Sequence, residues 1–75
     1  MEELDYVVLT QDLPEHRLYA GDVGMILHVR GAQQGYEVEF VTLKGDLLAL
    51  VALSPDQVRA IAEDEVVHTR RMPPV

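Results

Sequence analysis

The chain has no cysteine in its 75 residues. That excludes a disulfide staple, a thiolate metal site and a cysteine nucleophile. It has one serine, Ser54, directly before Pro55. A cap or turn role accounts for it, and no second serine offers itself to a triad. The three histidines, His16, His28 and His68, stand in no H-x-x-x-H or H-E-x-x-H spacing, so no metal centre is expected. Gly21-Asp22-Val23-Gly24 lacks the lysine that follows in a phosphate-binding loop. No apolar run approaches the roughly 18 residues of a membrane span. Basic residues are scarce as well. Thirteen acids against six Lys and Arg leave a net charge of −7.

The charge is segregated. Residues 1–65 carry all thirteen acids and only Arg17, Arg30, Lys44 and Arg59, a net of −9. Residues 66–75 carry Arg70 and Arg71 and no acid, a net of +2. A body of that sign repels a phosphate backbone, because nucleic-acid affinity comes chiefly from Lys and Arg. It attracts a basic protein, and it also serves solubility. The acidic start, Met1-Glu2-Glu3-Leu4-Asp5, is not that of a secretory signal. A cytoplasmic setting is therefore expected. Hydrophobic residues at 48% mark a globular chain rather than a disordered one. At this length it buries about 60% of its unfolded surface. A deep catalytic pocket is not expected, and neither is a cofactor.

Turn signals recur at about ten-residue intervals, the rhythm of short antiparallel strands. They are Gly21-Asp22, Gly31 to Gly35, Lys44-Gly45-Asp46 and Ser54-Pro55-Asp56. Between them lie four β-rich runs: residues 6–10, 23–30, 36–42 and 47–53. In the third, Tyr36, Val38 and Phe40 alternate with Glu37 and Glu39. One face is core and the other points two carboxylates at water. The fourth, Leu47 to Leu53, is apolar on both faces, and its length suits a strand. The expected core is Val8, Val23, Ile26, Val29, Val38, Phe40 and Leu50.

Residues 54–65 allow two readings. Ser54-Pro55-Asp56-Gln57 resembles a helix start with a capping box. The alternative is one 3-10 turn at 55–57 followed by a short strand from Val58 to Ile61. Val66 to Arg70 is β-branched enough for a last strand, and Met72-Pro73-Pro74-Val75 cannot continue a sheet.

A strand, a long loop from Gln11 to Ala20, and then Gly21-Asp22-Val23-Gly24-Met25-Ile26-Leu27 resemble the second-strand signature of small SH3-like barrels. In that signature Gly24 permits a bend where the barrel curls. More closely, the chain resembles a family of short bacterial proteins known only as a domain of unknown function, number forty-nine twenty-six. The matching pieces are Leu4 to Thr10, Asp12-Leu13-Pro14, Gly21 to Gly24, and Tyr36 to Gly45. The resemblance covers about residues 4–61. It implies an all-β, SH3-like barrel of five or six antiparallel strands, with one short helical turn near Pro55, and it implies no activity. Residues 1–62 would form the barrel and residues 63–75 a C-terminal strand or tail.

The functional expectation is a non-enzymatic protein-interaction module, acidic and bacterial. Its partner would be another protein or a second copy of the chain, and neither nucleic acid nor a membrane. Two other readings stand beside it: an antitoxin-like neutraliser of a basic partner, and a nucleic-acid-binding barrel of ribosomal or transcriptional type. The candidate contact residues are Leu18 and Tyr19 in the long loop and Leu47, Ala49, Val51 and Leu53 on the fourth strand. The outer face of that strand must be covered by the tail, with Val67 and Met72 as plugs, or by another chain.

Overall fold

A computed structural model describes residues 1–31 and 33–72. Five strands follow one another: β1 (Tyr6–Leu9), β2 (Val23–Val29), β3 (Tyr36–Val41), β4 (Leu47–Leu53) and β5 (Val58–Ala60). Two 3-10 turns, Pro14–His16 and Pro55–Gln57, complete the regular structure. The strands form one open antiparallel sheet in the order β4-β3-β2-β1-β5, the small barrel-like all-β fold expected. Among the described residues no helix is long and apolar enough to cross a membrane.

The turn-and-strand reading of residues 54–60 holds. Pro55 sets the first turn, and the Gln57 side-chain carbonyl accepts the Ser54 N–H at 2.8 Å. The extended backbone at Val58 then ends the turn and lets β5 pair with β1.

Alternation sorts each strand into two faces. Tyr36, Val38 and Phe40 pair with Leu53, Val51 and Ala49 on the inner face. Val7, Leu9, Ile26 and Val58 join them, and Leu13 and Leu18 close the core from the long loop. Gly24 is buried here for want of space. A Cβ on it would stand 2.6 Å from Val38 Cγ1 and 2.8 Å from Phe40 Cε1. The bend expected at Gly24 lies three residues on, where an extra residue, Leu27, shifts the β2–β3 register.

Three expectations are corrected. Leu50 was placed in the core and is 56% exposed, whereas Leu53 is 3% exposed. Ala49 and Val51, expected with Leu53 on the outer face, pack against the core. The cause is the register with β3, which sets Ala49, Val51 and Leu53 opposite the inward Phe40, Val38 and Tyr36. Phe40 pairs with Ala49 but Val41 pairs with Leu47, so Leu48 is an extra residue, and it alone separates Leu47 from the face of Ala49. In the third case, Val66 to Arg70 forms no strand, and the described chain has five. Pro73, Pro74 and Val75 of the expected terminal tail lie outside the described residues.

Val8 is buried, as expected, but from the other side. It alternates away from Val7, onto the outer face. There Ile61 and Val67 share a small cleft with Val8 and Val23. The tail therefore runs back across the outside of β1 and β2.

Candidate interaction site

The long loop positions the site. Leu13 and Leu18 bridge across the 3-10 turn, each N–H donating to the other's carbonyl at 2.8 and 3.1 Å. This tucks both leucines inward. Leu18 is 1% exposed, so its expected role in lining a peptide groove is corrected to that of a core anchor. Tyr19, the next residue, is left outside at 37% exposure.

Tyr19 opens a tight turn that Asp22 closes. The Asp22 N–H donates to the Tyr19 carbonyl at 3.0 Å. The Tyr19 N–H donates back to Asp22 Oδ2 at 2.9 Å. Gly21, at φ 96°, supplies the left-handed residue the turn needs. Asp12 Oδ1 accepts the Ala20 N–H at 2.9 Å, and the Leu9 carbonyl accepts that of Gly21 at 2.9 Å. The Asp22 carboxylate and the backbone of the turn that carries Tyr19 are thus fixed by the body of the protein.

Arg70 of the tail enters this turn. Its Nε donates to Asp22 Oδ1 at 2.8 Å, and its Nη2 donates to Asp22 Oδ2. The same Nη2 donates to the Arg17 carbonyl at 3.1 Å. The guanidinium also stands 5.0 Å from the centroid of the Tyr19 ring, within the range of a cation–π contact. Burial pushes the Asp22 carboxyl up. The hydrogen bonds from Arg70 and from the Tyr19 N–H, with the Arg70 charge, outweigh it and hold the carboxyl below its ordinary value.

A second clamp lies nearer the start of the tail. Arg59 Nη1 and Nη2 donate to the two Glu65 carboxylate oxygens at 2.7 and 2.8 Å. Glu65 also accepts the Ala62 N–H. The Arg59 hydrogen bonds and this N–H bring the Glu65 carboxyl down to about 2.

Beyond Arg70 an open groove of about 440 Å³ separates tail from sheet. Val23, Val41, Leu43 and Leu48 line one wall, and Val67 and Met72 the other. The Val67 and Met72 plugs expected of the tail thus face β2 and the bulge of β4, and they leave the middle of β4 uncovered. Leu47 is 62% exposed there. Leu50 continues a row across the outer face, Tyr6–Met25–Glu39–Leu50, formed by successive strand pairs. Among the described residues no group of three or more His, Cys, Asp or Glu could hold a metal ion.

Of the candidate contact residues, Tyr19 and Leu47 are exposed, Ala49 and Val51 half-buried, and Leu18 and Leu53 buried. Asp22 and Arg70 escaped sequence reasoning. Gly21-Asp22 reads locally as a turn, and Arg70 lies 48 residues further on. The one signal that joins them is the segregation of charge between body and tail.

The model of the family described as Domain of unknown function (DUF4926) matches residues 3–60. The chain belongs to that family. The match spans β1 to β5 and stops before the tail. No curated protein and no solved structure matches the chain.

Proposed function

We propose that the protein is a non-enzymatic protein-interaction module working in the bacterial cytoplasm. The observation that carries this reading is the outer sheet face. Leu47, Leu50 and Val41 are exposed there, and Leu43 of the β3–β4 turn is exposed beside the groove under the tail. Apolar surface gathered on one face is characteristic of contact sites. The acidic body favours a partner with basic character, because opposite fields speed encounter and fix orientation. That charge also supports the narrower reading of an antitoxin-like neutraliser of a basic protein.

Affinity capture with the tagged protein, wild type beside Leu50→Lys, tests the module. A partner held by wild type and lost by the variant is the expected result. Retention by both, at equal melting temperature, overturns the use of this face. Salt-sensitive binding of nucleic acid at micromolar or lower concentration would instead favour the ribosomal or transcriptional reading.

A further inference from the structure

The geometry points to the Tyr19–Asp22 turn as a receptor for an arginine in an extended, basic segment of another protein, with the chain's own Arg70 seated in it as a tethered competitor. The biological meaning of this assignment rests on the interaction role proposed above, but the binding can be measured without it.

The turn reads a guanidinium by shape. Asp22 takes Nε and Nη2 side by side, the Arg17 carbonyl takes Nη2 again, and the guanidinium carbon stands over the Tyr19 ring. A lysine ammonium has neither the fork nor the flat face to make this set. The cradle does not depend on its occupant, because its own hydrogen bonds run to Asp12, Leu9 and within the turn. A site already built loses little freedom when a ligand enters.

The occupant, by contrast, is weakly held. Among the described residues no backbone hydrogen bond joins residues 66–72 to the sheet. Val66 is 93% exposed. Arg70 is the polar attachment of this stretch. Two residues on, Met72 turns toward the groove, as alternation in an extended chain requires. A competing segment would therefore carry arginine followed two positions later by an aliphatic residue. The net charge of −9 on residues 1–65 draws such a segment in.

The test uses the full-length chain and a fluorescent peptide with the sequence of residues 66–72. Arg70→Ala empties the cradle and leaves the fold intact. Arg70 competes for the cradle from within the same chain, so wild type should bind the peptide several-fold more weakly than Arg70→Ala. The same peptide with lysine at the position of Arg70 should bind Arg70→Ala several-fold more weakly. Asp22→Asn and Tyr19→Ala, each added to Arg70→Ala, should both lose the peptide, and either one suffices if the other fails to fold.

Equal binding by wild type and Arg70→Ala, absence of binding by both, or equal binding of the lysine peptide overturns the assignment. Dimerisation of wild type that Asp22→Asn abolishes would give the cradle to the tail of a second copy, and it overturns the assignment to another protein. Leu50 lies outside the cradle. A partner lost on Leu50→Lys while the peptide fails to bind would refute the receptor and leave the interaction module standing.

Discussion

Residues 6–60 and residues 61–72 are one chain held by two kinds of force. The first stretch is held by strand ladders and by a core that contains no buried polar side chain among the described residues. The second is held by two guanidinium–carboxylate clamps, Arg59 with Glu65 and Arg70 with Asp22. Ladders and apolar packing are shared over many residues and depend on volume rather than on any one charge. A clamp is local. One substitution, one proton or one competing arginine opens it. The body should therefore respond to changes in volume, and the tail to changes in charge.

The largest effect within that division should come at Phe40, which is buried against Gly24 and the inner face. Phe40→Ala should cost about 3–5 kcal/mol, a large share of a small domain's stability of about 5 kcal/mol. Urea unfolding checks it, and a wild-type melting curve would place Phe40 outside the core. Next comes the phase of β4. Leu53→Ala should cost about 2–5 kcal/mol, while Leu50→Ala stays within about 0.5 kcal/mol. Equal losses at both positions would contradict the register that sets Leu53 against Tyr36 and Leu50 against Glu39. Gly24→Ala should cost about 1–3 kcal/mol, because the added methyl meets Val38, Phe40 and the Glu39 carbonyl at 2.6 to 2.9 Å. Two of those three are core side chains that cannot yield without opening the inner face.

The sequence showed most of the body and little of the tail, and the reason is range. Tyr36, Val38 and Phe40 announce β3 because alternation is a local signal. The Gly-containing pairs announce the turns. β4 was legible as a strand, but its phase was not. Leucine and alanine occupy both faces, so only the pairing with β3 decides which of them faces the core. Leu13 and Leu18 belong to the core without any periodicity, since they arrive there through a loop. Val66 to Arg70 has strand propensity, yet propensity reports fit to a pleated surface with a free edge beside it, and the tail crosses the face of the sheet instead. The arginine cradle joins residues 48 apart, a distance at which only the sign of charge gave notice.

Acid should separate the two regions with the smallest energetic change of all. Asp22 in the folded protein titrates below its ordinary value of 3.8, and Glu65 falls from 4.5 to about 2. A carboxyl whose value is lowered by folding stabilises the fold above its unfolded value, and that gain is lost as pH falls through the folded one. Both clamps therefore hold at neutral pH. Each weakens only below the ordinary value of its own carboxyl: Glu65 between about 4.5 and about 2, and Asp22 as pH falls below 3.8. The side chains of Arg70 and Asp22 are partly open to solvent, at 33% and 17%. The Asp22 contribution is accordingly no more than about 1 kcal/mol. Methyl NMR resolves it. The Val67 and Met72 signals should be flat from pH 7 to about 5 and move below about 4, while Ile26 and Val38 stay in place over the same range. In Arg70→Ala the tail signals should already stand at their acid positions at pH 7. Coincident movement of tail and core methyls would mean that the tail is part of the cooperative fold rather than a strap clipped onto it.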